Sequence, residues 1–124
     1  NWIEEESQNI LAQISTPKIN ILAKSIGTAV AGNIITQKPD LINNIIFCGI
    51  PILDLNPGDE KYYLFLKDFP TYRTLLMQNE FDPHGKYSQL KELFTPLNPN
   101  LEIVCTTRPD HEYPYFSDFK NFFS

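Results

Sequence analysis

Three short segments hold the residue types needed for acyl-transfer chemistry. Residues 23–28 read Ala-Lys-Ser-Ile-Gly-Thr, residues 78–85 read Gln-Asn-Glu-Phe-Asp-Pro-His-Gly, and residues 106–113 read Thr-Thr-Arg-Pro-Asp-His-Glu-Tyr. A serine hydroxyl alone is a weak nucleophile. An imidazole must take its proton, and a carboxylate must hold that imidazole in the right tautomer. Ser25 is the candidate nucleophile, His111 the candidate base and Asp82 the candidate acid. Each position has a competing reading. Ser25 also suits a helix N-cap, where serine is preferred. Asp54 competes with Asp82 for the acid. His84 is the only other histidine, but it lies two residues beyond Asp82 on the same loop, too close in sequence to be that acid's partner. Glu80 and Asp110 read as solvated charges or caps, and Lys24 as a strand-end charge reaching solvent.

The elements that must position these residues alternate between helix and strand. Asn1 to Ile14 reads as a helix, with Glu4, Glu5 and Glu6 at the positive end of its dipole and Ile3, Ile10, Leu11 and Ile14 on one face; Pro17 follows it. Ile19 to Ala23 is a short apolar run, read as a buried strand. Ile26 to Gln37 is a second helix, with Ile26, Val30, Ile34 and Ile35 inward and small residues suited to close packing. Asn44 to Cys48 is the second strand and Gly49 to Gly58 a turn-rich stretch. Asp59 to Leu66 reads as a short helix whose Tyr62, Tyr63 and Phe65 fit core packing better than a substrate pocket. Tyr72 to Met77 is the third strand. Lys86 to Phe94 is a helix with Leu90, Leu93 and Phe94 as its apolar side. Leu101 to Cys105 is the fourth strand and Tyr115 to Phe123 the last helix. Strands that are apolar on both faces and separated by helices predict a parallel sheet of about four strands covered on both sides, an α/β three-layer fold. In such sheets functional groups gather outside the carboxyl ends of the strands. All three candidate segments fall there.

The Ser25 segment resembles the nucleophile elbow of α/β-hydrolases, small-x-Ser-x-Gly between a strand and a helix. The chain order Ser, acid, His is also that family's order. The Asp82 segment is similar to the family's acid loop and the His111 segment to its loop after the last strand. The resemblance spans the chain but only the C-terminal half of the family's fold. It departs at Ala23, where glycine is commoner. It implies a serine hydrolase acting on an ester, thioester or amide through an acyl-enzyme on Ser25, with the Ile26 N–H as one oxyanion donor and with no cofactor. The loop that gives the family's second oxyanion donor belongs to strands for which this chain has no room. A large lipase-type lid is also absent, which points to small or soluble acyl substrates. The alternative is a non-catalytic interaction module on a truncated or decayed hydrolase scaffold, which predicts Ser25 and His111 out of hydrogen-bond reach. A flavodoxin- or receiver-like module would need a phosphate loop or acidic cluster after the first strand, and the segment has neither.

Bulk properties bound the partners. The 124 residues fit one domain, 1–124, and 42% apolar and 13% aromatic residues fit a globular core. The formal charge of −5, with no basic run, argues against nucleic acid and anionic membrane surfaces. Cys48 and Cys105 sit in apolar runs and read as buried small hydrophobes in a reducing, cytoplasmic compartment. Two cysteines and two scattered histidines give no metal-ligand spacing. The chain does not begin with Met, which points to a fragment, a processed chain or a trimmed one. An open sheet edge with exposed apolar surface is expected, and with it homodimerisation or pairing with a missing N-terminal half.

Overall fold

A computed structural model describes residues 1–124. Helix α1 (Trp2–Gln13) starts at Asn1, whose side chain accepts from the Glu4 N–H at 3.2 Å. Strand β1 (Ile19–Lys24) leads into α2 (Gly27–Gln37), and β2 (Ile42–Cys48) follows. Two 3-10 segments come next, Ile52–Asp54 and Asp59–Lys67, then β3 (Thr74–Asn79), α3 (Tyr87–Phe94), β4 (Ile103–Thr106) and α4 (Phe116–Phe123). The four strands form one parallel sheet in the order β1-β2-β3-β4, with Ile21 beside Ile45, Phe47 beside Leu76 and Met77 beside Val104.

This order explains how the layers fill. Each crossover steps one strand in the same direction, so right-handed connections place all three on one face of the sheet. That face carries the larger core, in which Ile45, Phe47 and Leu76 meet Ile3 of α1, Val30, Ile34 and Ile35 of α2, Tyr63 and Leu66 of the 3-10 segment, and Leu90 and Phe94 of α3. Only α4, after the last strand, returns over the other face. There Phe119 packs with Ile46, Cys48, Leu75, Met77 and Tyr113. Alternate residues of β2, β3 and β4 serve the two cores, as the pleat requires. Close approach of α2 to the 3-10 segment needs Gly32, where an added Cβ would lie 1.9 Å from the Tyr62 carbonyl oxygen.

Several expectations are corrected. The short helix expected over 59–66 is a 3-10 helix over Asp59–Lys67, with Tyr62 and Tyr63 buried and Phe65 packed on the core as expected. Strand β3 runs two residues later than the apolar pattern, because Thr71–Arg73 make a 3-10 turn after Pro70 and the amides Gln78 and Asn79 are buried strand residues. Ile10, Leu93 and Ile26 are exposed rather than core-facing, so the buried stripes of α1, α2 and α3 are narrower than their periodicity implied. Cys105 is also exposed, since β4 is an edge strand and is covered less than β2 and β3. Cys48 is buried as expected, and burial pushes its thiol up to about 12.

Along β1, the other edge strand, Leu22 is 51% exposed and Trp2 is 56% exposed. They border an apolar groove of about 390 Å³ that also takes in Ile10, Ile19 and Val30. No helix is long and apolar enough to cross a membrane.

Candidate active site

The site sits at the carboxyl ends of all four strands. Ser25 follows β1 and has φ 58°, the only non-glycine residue in left-handed backbone. That conformation costs about 1–3 kcal/mol and persists only where the surroundings enforce it. Here the Ser25 N–H donates to the Cys48 carbonyl at 3.0 Å. The Ser25 carbonyl accepts from the Thr28 N–H at 2.9 Å and the Thr28 hydroxyl at 2.6 Å, and the same hydroxyl is 2.7 Å from Tyr63 Oη in the core. The turn lifts the hydroxyl off the sheet. Ser25 does not cap α2: Ile26 takes the cap position, and no side chain bonds there. The Ile26 N–H donates to no backbone carbonyl.

Ser25 Oγ lies 2.9 Å from His111 Nε2, and His111 Nδ1 lies 2.7 Å from Asp82 Oδ2. The sequence thus brings together residues 25, 82 and 111 in one hydrogen-bonded line. The alternative acid, Asp54, bonds His84 Nδ1 instead, so the chain holds two Asp–His pairs side by side. Lys24 reaches solvent and meets Glu112 at 3.8 Å. Asp110 caps the His111 turn by accepting the Glu112 N–H at 3.0 Å. Arg108 grips Asp110 through two bonds, at 3.0 and 2.7 Å, and holds its carboxyl below the usual range.

Asp82 is fully buried, and a buried carboxylate must be matched by donors. Besides His111, it accepts the His84 N–H on Oδ1 at 2.8 Å and the Tyr113 hydroxyl on Oδ2 at 2.6 Å. Tyr113 in turn accepts the Asn79 N–H at 2.9 Å. Burial first, and the hydrogen bond to Asp82 second, push the Tyr113 phenol far above its ordinary value, so it stays a neutral donor. Asn79 uses its whole amide. Its Nδ2 donates to the carbonyls of Asp110 and Glu112, at 2.9 and 2.8 Å, which flank His111. Its Oδ1 accepts from Thr106 and Tyr115, at 2.7 and 2.6 Å. Gln78 ties the loop after β2 to the acid loop, donating to the Ile50 and Gly85 carbonyls at 3.1 and 2.7 Å. Gly49, at φ 60°, leaves room for the rings: a Cβ there would lie 2.6 Å from Tyr113 Cε1 and 3.1 Å from His111 Cε1.

Sequence reasoning missed these four supporting residues. The one signal for Gln78 and Asn79 was two amides directly after an apolar run. Gly49 ended such a run as well, and nothing marked Tyr113.

The comparison with solved structures adds the fold. The crystal structure of the Bacillus cereus carboxylesterase superposes with a TM-score of 0.53 at 12% identity, covering 97% of this chain and 53% of that one. What the two share is a scaffold. This chain spans about half the length of that esterase. No protein-family model matches the sequence, and no curated protein does either.

Proposed function

We propose that this chain carries the nucleophile, base and acid of a serine hydrolase that cleaves an ester, thioester or amide bond in a small acyl substrate. The observation that carries the reading is the line Ser25 Oγ–His111 Nε2, 2.9 Å, and His111 Nδ1–Asp82, 2.7 Å, attached to a serine in left-handed backbone. In this reading Ser25 Oγ attacks the acyl carbon as its proton passes to His111 Nε2. Asp82 keeps the other ring proton on Nδ1 and offsets the imidazolium charge. The carbonyl oxygen becomes an oxyanion, and the Ile26 N–H at the start of α2 is placed to receive it. His111 then returns the proton to the leaving group, and water releases the acid from Ser25 by the same steps reversed. The esterase scaffold supports this reading. The interaction-module alternative loses its main expectation, because Ser25 and His111 are in contact. We propose a reducing compartment for the protein, as its two cysteines in separate apolar runs suggest.

The test is labelling by a fluorophosphonate probe. Labelling should map to Ser25, vanish in Ser25→Ala and slow by on the order of 10³ or more in His111→Ala. Labelling that survives Ser25→Ala, or no labelling of the folded protein, would sink the proposal.

A further inference from the structure

The Ser25–His111–Asp82 line leaves the second Asp–His pair unused. The His84 ring lies against His111, with centroids 4.3 Å apart and planes at 48°. Tyr113 meets His111 edge-on, at 6.1 Å and 88°. His84 is fixed on three sides. Its N–H donates to Asp82 Oδ1 at 2.8 Å, its carbonyl accepts the Leu53 N–H at 3.0 Å, and its Nδ1 bonds the Asp54 carboxylate. The loops after β2 and β3 are therefore laced together around this one ring. Solvent reaches the outer pair more than the inner one: the His84 and Asp54 side chains are 45% and 56% exposed, against 21% for His111.

A half-exposed Asp–His pair adds little to stability, so stability does not account for the arrangement. Its geometry does. An imidazole that must align with both Ser25 and Asp82 loses rate when it can tilt. Its bond to Asp82 is stronger where water is kept away. We propose that His84, clamped by Asp54, is a positioning residue: its ring covers His111, holds the imidazole in line between Ser25 and Asp82, and shields the His111–Asp82 hydrogen bond from water. The proposal rests on the hydrolase reading for its kinetic consequence but not for its structural one.

Proton NMR of the folded protein reads the structural part without any substrate. The His111 Nδ1 proton in its bond to Asp82 should give a far-downfield resonance. His84→Ala should broaden or erase it by exchange with water, and His84→Phe, which keeps a ring, should retain it. Asp54→Asn should broaden it partly. With a p-nitrophenyl ester, His84→Ala should lower kcat roughly tenfold or more with KM within about twofold, and His84→Phe should restore most of the loss. A resonance and a kcat that are both indifferent to His84→Ala overturn the proposal. So does a His84→Phe variant that is folded yet no better than His84→Ala. Should His84→Ala fail to fold, the Phe and Asn variants carry the same test. Loss of the resonance in a protein that no fluorophosphonate labels would leave the positioning role standing and remove the hydrolase reading. Labelling at Ser25 with a resonance and a kcat both indifferent to His84→Ala would do the reverse.

Discussion

Tyr113 donates to a carboxylate that has no access to water, and it accepts from the Asn79 N–H at the same oxygen. Removing that hydroxyl leaves one of the three donors to Asp82 missing and one buried N–H unpaired. Tyr113→Phe keeps the ring and its packing, so the change isolates the hydrogen bonds. Each buried polar group left unsatisfied costs about 1–3 kcal/mol. The urea midpoint of Tyr113→Phe should fall accordingly. In the hydrolase reading kcat should fall as well, with KM little changed, because Asp82 would hold His111 less firmly. A variant with wild-type midpoint and wild-type kcat would show that Asp82 does not depend on Tyr113. Residues 25, 82 and 111 were legible in the sequence as candidates because each follows an apolar run and together they keep the order Ser, acid, His. Tyr113 and Asn79 were not, since the side-chain partners lie 27 to 36 residues away and appear only once the strand ends are neighbours.

At the scale of elements, strand ends decide where the functional loops point. Apolar runs gave the place of β1 and β2, and small residues marked α2, but β1, expected to be buried, is an edge strand with none of its residues buried. The end of β3 was misread because its last two residues are buried amides, whose burial is made possible by the loops they cross-link. The end of β2 is set by Gly49, which combines positive φ with contact against both His111 and Tyr113. Gly58 has positive φ too, at 93°, but a Cβ there meets nothing within 4 Å. The pair separates two effects. Left-handed backbone alone costs a residue with a Cβ about 1–2 kcal/mol, so Gly58→Ala should lower stability by that much and Gly49→Ala by more. Only Gly49→Ala must also displace the rings, so only it should lose the downfield shift of the His111 proton and, in the hydrolase reading, ester hydrolysis. Equal activity in the two variants would contradict this account of Gly49.

For the whole molecule, one sheet serves two cores of unequal size. Three connections that step the same way load one face, and α4 alone covers the other. The uneven cover accounts for Leu22, on β1, being half exposed while its β2 neighbour Ile46 is sealed. Because β2 and β3 contribute alternate residues to both cores, the two cores are expected to be lost together. Titration offers a probe of each. Cys48 lies in the smaller core and Tyr63 in the larger, and burial raises both groups, from 9.0 and from 10.0 respectively, to about 12. In the folded chain each keeps its proton; in the unfolded chain each gives it up at its ordinary value. The unfolded state therefore binds fewer protons between those values and about 12, and stability must fall as pH rises across that window. Below pH 9 neither group should affect stability through its titration. Urea midpoints measured from neutral pH upward should be flat and then decline, and Cys48→Ala and Tyr63→Phe should each flatten part of the decline. If the shared sheet makes the cores one cooperative unit, both variants change a single transition. Two separated transitions, one sensitive to Cys48 and the other to Tyr63, would show instead that α4 can leave its face while the larger core holds.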